Sequence, residues 1–335
     1  MHQLTYGEIK AAADRIAGRV RPVALAPADP GEFHGDPAEG SREGWLALEF
    51  LQHTGSFKAR GAQNFLQAHR EAGTLPDAGM TIASGGNAGL ACAWAARQQG
   101  VTATVFLPAT APAVKTARLR GFGAEVRLVG TEYADALAAC EEFAATTGAL
   151  ASHAYDHPLI AAGAGTVLEE IVRQVPGLDT VVVAVGGGGL YAGVATAARH
   201  HGVRVVAVEP ENCRALNAAI GAGRPVDVTV DSVAADALGA RRASAMALDA
   251  ARQGEVHSVL VPDSAIVRAR RALWEHRRIA VEHAAATALA ALPSGAYPQV
   301  VGGGYRPAPG EKVAVVLCGA NTDPGDLTAV QPDQA

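Results

Sequence analysis

The sequence predicts an α/β protein built on parallel sheets that helices cover on both faces. Short apolar runs alternate along the chain with Ala-rich stretches of helical periodicity, the pattern of βαβ units. The 38 glycines exceed the average share of about 7% and cluster at the junctions between these segments. Aromatic residues are scarce while Ala and Val are abundant, which suits close packing of helices on sheets.

Each element follows from its local pattern. The N-terminal 18 residues read as an amphipathic helix rather than a signal peptide, and the polar segment 28–42 is predicted to be a surface loop. Strands are predicted at 45–50, 80–83, 102–107, 124–129, 149–152, 180–185, 204–208, 257–261 and 312–317. Helices are predicted at 58–72, 88–99, 113–121, 133–147, 162–174, 190–200, 263–277 and 283–291. The tail after Pro324 is expected to be frayed.

Bulk properties exclude several classes of protein. A net charge of -5 gives no electrostatic reason to bind nucleic acid. The four cysteines form no C-x-x-C pair, so the pattern indicates neither a zinc site nor a disulfide framework. The uncharged run 180–198 is long enough to span a membrane, but four consecutive glycines interrupt it, so a strand, a loop and a helix are predicted instead. We expect a soluble cytoplasmic protein.

The segment around Lys58 is the most informative part of the chain. Lys58 falls in the first turn of a predicted helix, with Ser56 as its N-cap and Gly73 as its C-terminal stop. An ammonium at this end of the helix dipole costs roughly 0.3–1 kcal/mol, so the field favours the neutral, nucleophilic amine. The alternative is a solvated lysine in an ordinary first turn.

Two glycine-containing loops each join a strand to a helix, where free N–H groups favour an anion. The first loop consists of Ser84, Gly85, Gly86, Asn87 and Ala88. Its alternative interpretation is a plain βα turn capped by Asn87. The second loop consists of Gly186, Gly187, Gly188, Gly189 and Leu190. Because packing alone rarely requires four glycines, this loop predicts a phosphate site.

A dinucleotide fingerprint is a competing interpretation of the second loop. Gly187, Gly189 and Ala192 match G-x-G-x-x-A, and Glu209 follows the next strand, as an acid that binds a ribose hydroxyl would. This interpretation predicts an NAD-dependent oxidoreductase but leaves Lys58 and Asn87 unexplained.

Three further features carry weaker signals. Cys318, after the last strand, is either a small buried hydrophobe or a thiol that faces a ligand. His153 and His157 complete no metal site, since Pro158 disfavours a helix there. The arginines at 268, 270, 271, 277 and 278 are interpreted as an exposed helix face.

Taken together and in order, the motifs resemble those of the serine/threonine dehydratases (threonine ammonia-lyases), pyridoxal-phosphate enzymes of fold type II. The resemblance runs from about residue 45 to residue 321. It is carried by the motifs TGSFKARGA, SGGNAG, HAYDHPLIAAGAGTVLEEI, VGGGGLYAG, VEPE and CGAN. It implies a tryptophan synthase β-like architecture of two three-layer domains, each with a parallel sheet. Residues 1–77 with 153–335 would form the large domain, and 78–152 the small, mobile one.

The resemblance also implies roles for individual residues. Lys58 matches the lysine that holds pyridoxal 5'-phosphate as an imine, and Phe57 the aromatic residue beside it. Asn87 matches the asparagine that bonds the cofactor's phenolic oxygen, and Cys318 the Ser or Cys that faces the pyridine nitrogen. The glycine loop, Gly186 to Leu190, matches the phosphate cradle, and the loop from Ser84 to Ala88 the clamp for the substrate carboxylate.

The implied reaction is β-elimination of L-threonine or L-serine to a 2-oxo acid and ammonia. Another 3-hydroxy amino acid as substrate, β-replacement and a non-catalytic cofactor-binding role are kept as alternatives. The resemblance further implies a homodimer or homotetramer.

Three departures from the family pattern qualify these expectations. Gly85 stands where related serine racemases carry a serine base, so weak racemisation is expected. Some relatives bind a divalent cation after the VEP segment; Glu209 matches that site, but Cys213 and Ala215 leave it incomplete, so no tight metal is predicted there. The usual Glu-Pro reads Glu282-His283, which puts the local backbone in question.

Overall fold

A computed structural model of the protein describes residues 2–29, 33, 43–293 and 304–328. Its strands are β1 Leu25–Pro27, β2 Gly44–Ala47, β3 Met80–Ala83, β4 Ala103–Leu107, β5 Glu125–Leu128, β6 Leu150–Ala151, β7 Thr180–Ala184, β8 Arg204–Pro210, β9 Val256–Val261 and β10 Val313–Val316. Its helices are α1 Tyr6–Ile16, α2 Lys58–Glu71, α3 Asn87–Gln99, α4 Ala113–Gly121, α5 Tyr133–Thr147, α6 Pro158–Gln174, α7 Gly189–His201, α8 Ala215–Ala222, α9 Ala235–Leu238, α10 Ala245–Arg252, α11 Asp263–Arg277, α12 His283–Ala290 and α13 Gly325–Thr328. The predicted α/β class is confirmed.

The strands form two sheets. The larger has the order β1-β2-β10-β7-β8-β9 and is parallel except for the antiparallel pair β1 and β2 at its edge. The smaller has the order β5-β4-β3-β6 and is parallel throughout. All four of its strands and helices α3 to α5 lie within 78–152. The division into domains at these boundaries stays a prediction.

Burial of the central strands explains their composition. Every residue of β7 and of β10 is buried, because helices cover both faces of the sheet, so these strands are continuous runs of small apolar residues. A separate apolar cluster surrounds the smaller sheet. The uncharged run 180–198 is the buried strand β7, the glycine loop and most of α7, as predicted. None of the helices in the described ranges is both long and apolar enough to cross a membrane.

Three expectations about single elements are wrong. The strand predicted at 45–50 ends at Ala47, and Glu49–Leu51 forms a 3-10 turn that directs Glu49 inward to the buried Arg60. Residues 325–328 of the tail form α13, because Asp326 accepts two hydrogen bonds from Arg270. Arg270 is therefore buried, unlike the exposed arginine face expected for α11. The surface loop predicted at 28–42 lies mostly outside the described residues.

Candidate active site

The predicted site segments follow the carboxyl ends of parallel strands. The loop 84–88 follows β3, the glycine loop follows β7, and Cys318 lies two residues beyond β10. Lys58 begins α2. The glycine loop and Cys318 therefore share one edge of the larger sheet, and the loop 84–88 lies at the corresponding edge of the smaller one. Such edges are where ligands bind in α/β proteins.

Backbone hydrogen bonds hold the Lys58 segment against the end of β10. The Phe57 N–H donates to the Cys318 carbonyl at 3.0 Å, and the Ala320 N–H donates to the Gly55 carbonyl at 2.9 Å. Ser56 and Gly319 form an isolated antiparallel bridge between these two bonds. The segment that carries the amine is therefore joined to the segment that carries the thiol.

Lys58 has the properties of a reactive amine. Its Nζ donates to the Ala154 carbonyl at 2.6 Å and lies 4.9 Å from the centre of the Phe57 ring. Desolvation lowers the pKa of Lys58 to about 8, against the opposing influence of Cys318, Cys92 and Glu282. The lowered pKa agrees with the predicted direction, and burial is its cause.

The predicted N-cap of α2 is wrong. Phe57 occupies the N-cap position and makes no side-chain cap, while the Ser56 hydroxyl is buried without a hydrogen-bond partner. The Thr54 hydroxyl, also buried, has none within the described part of the chain either. Two such donors beside Lys58 are a costly arrangement unless something polar approaches them.

A buried ion network fixes the start of α2. Arg60, two residues after Lys58, is fully buried and donates to both oxygens of Glu49. It also donates to Glu170 at 2.8 Å and to Thr166 on α6 at 3.2 Å. Because breaking a buried pair leaves an uncompensated charge, this network holds the first turn of α2 in place.

The loop 84–88 offers free N–H groups beside Asn87. Within the described ranges, none of its backbone N–H groups donates a hydrogen bond. Gly86 occupies the N-cap position and Asn87 the first helical position, so the alternative of Asn87 as a simple cap is wrong. The Asn87 amide instead donates to Glu282 Oε1 at 2.8 Å and accepts from Asn321 Nδ2 at 2.6 Å.

The glycine loop is packed more tightly than expected. A side-chain carbon at Gly187 would overlap the Tyr155 ring, and one at Gly188 would overlap Ala247. Gly188 also has a φ of 92°, which strongly favours glycine. Packing therefore does require small residues here, contrary to the expectation from the sequence. The N–H groups of 186–190 nevertheless make no hydrogen bond among the described residues, so the start of α7 has donors available to an anion.

The predicted residues are brought together by one stretch of chain. Ala154 accepts the hydrogen bond from Lys58, and its neighbour Tyr155 packs on Gly187 and Gly189. Lys58 is thereby linked to the glycine loop. Gly319, in the segment bonded to that of Lys58, lies beside Asn87, because a side-chain carbon added at Gly319 would be 3.4 Å from Asn87 Nδ2.

Cys318 presents a neutral thiol. It is buried, and desolvation raises its pKa well above its usual value. A neutral thiol can hydrogen-bond a ring nitrogen but brings no full negative charge.

The sequence interpretation missed Glu282 as part of the site. Its buried carboxyl accepts from Asn87, and desolvation raises its pKa to about 7. The Glu282 N–H donates to the Gly319 carbonyl at 3.1 Å. The signal was present in Glu282-His283: Glu282 is the extended N-cap of α12, and His283 takes the first helical position, where proline is common. The backbone at Glu282-His283 is therefore one that the Glu-Pro pair of the family could also adopt.

Glu209 does not support the dinucleotide interpretation. It is fully buried, and its two carboxyl oxygens accept from the N–H groups of Leu216 and Asn217 at 2.7 and 2.8 Å. The side chain is thus buried and caps the start of α8 rather than being presented to a ligand. The described residues contain no group of three or more His, Cys, Asp or Glu that could hold a metal, and the predicted absence of a metal stays a prediction.

These groups fit the pyridoxal phosphate that the resemblance implies. A desolvated amine suits an aldehyde, a helix start with free N–H groups suits a phosphate, and a neutral thiol suits a ring nitrogen. The buried hydroxyls of Thr54 and Ser56, close to Lys58 in the chain, have no hydrogen-bond partner among the described residues and could still bond a polar ligand.

Comparisons with known proteins agree with this fit. Residues 35–319 match the family described as pyridoxal-phosphate dependent enzymes. A serine dehydratase-like protein of Homo sapiens is 37% identical over 283 residues, which cover 83% of this chain and 84% of that protein. An L-threonine ammonia-lyase of Geobacter sulfurreducens is 34% identical over 331 residues, 98% of this chain and 78% of that protein. The structure of maize serine racemase has a TM-score of 0.85 at 28% identity, covering 97% of this chain and 96% of that one.

Proposed function

Because the chain belongs to the family of pyridoxal-phosphate-dependent enzymes, we propose that it is an ammonia-lyase that converts L-threonine or L-serine to a 2-oxo acid and ammonia. The observation that carries this proposal is the desolvated amine of Lys58, with a pKa of about 8, which bonds Ala154 next to the Tyr155 that packs on the glycine loop. Similarity to a serine dehydratase-like protein and to an L-threonine ammonia-lyase supports the choice of substrates.

Five parts of the site would hold the cofactor in this proposal. Lys58 and Phe57 would hold its aldehyde end, Asn87 would bond its phenolic oxygen, and Cys318 would face its ring nitrogen. The N–H groups of the glycine loop, which make no hydrogen bond among the described residues, would bind its phosphate. When bound, pyridoxal phosphate supplies a ring that accepts the electron pair left when the Cα–H bond breaks.

Lys58 moves the protons of the reaction. Its neutral amine takes the Cα proton, and the resulting ammonium gives a proton to the β-hydroxyl as the Cβ–O bond breaks, so water leaves and Lys58 returns to its neutral form. The released enamine takes up one water and yields the 2-oxo acid and ammonia. A pKa of about 8 suits a group that must accept and donate within one turnover.

The loop 84–88 orients the substrate. Free N–H groups at the start of α3, which has 13 residues, favour the substrate carboxylate. Gly85 has no side chain that could deliver a proton to the opposite face of Cα, which supports elimination over racemisation.

Wider features of the molecule belong to the same proposal. Residues 78–152 form a small domain that closes over the substrate against 1–77 and 153–335 and excludes water. The protein acts as a cytoplasmic homodimer or homotetramer, which light scattering after size exclusion would test. The neutral Cys318 thiol makes the bound ring a weaker electron sink, which favours prompt elimination.

The test is a substrate panel with the purified, cofactor-loaded protein. L-threonine and L-serine are compared with D-serine, 3-hydroxyaspartate, and O-acetylserine plus sulfide, and both 2-oxo acid and ammonia are measured. We expect equal amounts of both products from L-threonine or L-serine. Lys58→Ala should abolish product formation, whereas Lys10→Ala, an exposed lysine on α1, should not change it.

Three outcomes would contradict the proposal. Thioether or thiol product without ammonia from the hydroxy amino acids would indicate β-replacement. A protein that binds pyridoxal phosphate but acts on none of these substrates would indicate a binding role. A colourless protein that binds NADH would revive the oxidoreductase hypothesis.

A further inference from the structure

Four polar side chains form a continuous hydrogen-bonded chain through the site, which we name the amide relay. It consists of Arg118, Asn321, Asn87 and Glu282. An Arg118 Nη2 donates to Asn321 Oδ1, and Asn321 Nδ2 donates to Asn87 Oδ1 at 2.6 Å. Asn87 Nδ2 in turn donates to Glu282 Oε1 at 2.8 Å.

The chemistry of its two ends gives the relay a direction. A guanidinium can only donate, so Asn321 must turn its amide oxygen toward Arg118. A backbone carbonyl can only accept, so Asn321 must turn its amide nitrogen toward the Thr54 carbonyl, 2.7 Å away. Both contacts demand the same orientation of the Asn321 amide, and the opposite orientation would break both.

The orientation of Asn321 determines that of Asn87. The two hydrogens of Asn321 Nδ2 go to the Thr54 carbonyl and to Asn87 Oδ1. Asn87 must therefore present its oxygen to Asn321 and its nitrogen to Glu282. One of the two Asn87 amide hydrogens is left over, and it is the hydrogen available to a phenolic oxygen. If the Asn87 amide were reversed, its Oδ1 would face the phenolic oxygen, and two acceptors cannot form a hydrogen bond.

The relay crosses between the two sheets three times. Arg118 and Asn87 belong to α4 and α3, on the smaller sheet. Asn321 and Glu282 belong to segments that adjoin the larger sheet, beyond β10 and before α12. The relay is therefore complete only when the two parts of the molecule are in contact, and Arg118 lies exposed at its outer end.

We propose that Asn321 and Arg118 are positioning residues that hold the Asn87 amide with an N–H toward the cofactor, so that contact between the two parts of the molecule sets the cofactor's hydrogen bond. This inference rests on the proposed function only in taking pyridoxal phosphate as the ligand. Neither residue touches the cofactor; both act through Asn87.

The test reverses the relay with near-isosteric variants of the full-length protein. Asn321→Asp keeps the pairing with Arg118 but offers Asn87 only acceptors. The Asn87 side-chain amide should therefore flip, so that its Nδ2 faces residue 321. We expect the dissociation constant for pyridoxal phosphate to rise about tenfold and the visible absorbance band of the bound cofactor to shift. kcat should fall more than KM changes.

Changes at Arg118 give an independent arm. Arg118→Glu presents acceptors to Asn321 and should reproduce the weaker binding and the shifted band. Arg118→Lys remains a donor and should keep the wild-type band. Arg120→Ala removes an equivalent exposed cation two residues further along and should change neither property.

Failure of this inference can be told apart from failure of the proposed function. Wild-type affinity and band in both Asn321→Asp and Arg118→Glu would overturn the inference even if ammonia is released. If Asn321→Asp does not fold, as judged by circular dichroism of the cofactor-free protein, the surface variant Arg118→Glu decides. A wild-type protein that binds the cofactor but releases no ammonia would contradict only the proposed function, because affinity and spectrum still test the relay.

Discussion

Single residues in this site take their chemistry from contacts that distant parts of the chain supply. Lys58 is the clearest case, because an exposed lysine titrates near 10.5 and this one near 8. Burial disfavours its ammonium, while Cys318, Cys92 and Glu282 partly restore it. The Ala154 carbonyl holds the amine in place at 2.6 Å.

The lowered pKa of Lys58 predicts the pH dependence of cofactor attachment. Only the neutral amine is nucleophilic, and desolvation lowers its pKa, so the neutral fraction should rise with pH through about 8 rather than about 10.5. The rate at which cofactor-free protein takes up pyridoxal phosphate, followed by absorbance between pH 6 and about 10, should therefore have its midpoint near 8. A midpoint close to that of free lysine would show that the amine is solvated. Lys10→Ala should leave the profile unchanged.

At the scale of elements, α6 is packed by direct backbone contact on two sides. A side-chain carbon at Gly163 would lie 2.6 Å from the Arg60 carbonyl on α2, and one at Gly165 would lie 2.6 Å from the Gly193 carbonyl on α7. These contacts place α6 directly between α2, which carries Lys58, and α7, which follows the glycine loop. The small residues of α6 therefore help to set the distance between the two halves of the site.

Replacing a glycine at this crossing should destabilise the protein. Gly165→Ala places a carbon against rigid backbone, and overpacking of this kind costs about 1–3 kcal/mol. The control is Gly221→Ala on α8, where nothing lies within 4 Å of the added carbon, so a gain of about 0.5–1 kcal/mol is expected. Urea unfolding of the cofactor-loaded variants measures both effects. Equal stability of the two variants would show that the helices can separate at no cost.

At the scale of the whole molecule, the two sheets meet through polar contacts as well as through the site. Besides the amide relay, Lys115 on α4 pairs with Asp236 on α9 at 2.6 Å. The pair is exposed to 38% and 66%, so it contributes about 0.2–1 kcal/mol. A contact of this strength could bias the proposed closure of residues 78–152 without locking it.

Reversing this pair tests whether contact between the two parts assists substrate binding. Lys115→Glu sets two carboxylates together and should raise KM by about two- to fivefold, with a smaller effect at high salt. The double variant Lys115→Glu with Asp236→Lys should restore KM, because it rebuilds the pair in reverse. Steady-state kinetics at two ionic strengths measures this. A double variant no better than the single one would mean that the pair makes no contribution.

Much of the fold was predictable because its signals are local. Each of the nine predicted strands overlaps an observed one, and the helices at 113–121, 133–147 and 263–277 have the predicted bounds. β1 was missed because it has three residues, is partly exposed and ends in Pro27. α8 to α10 and α13 were missed because they are short and held by tertiary contacts, as the cap of Glu209 on α8 shows.

The sequence by itself determined the α/β class and the positions of the loops, since these follow from local residue patterns, and the resemblance of its motifs to a known family singled out Lys58. Only the tertiary structure decided that Glu282, Asn321 and Arg118 belong to the site. Asn87 lies 195 residues from Glu282 and 234 from Asn321 in the chain. Hydrogen bonds between such partners leave no periodic trace in the sequence, because their geometry depends on how two separate sheets meet.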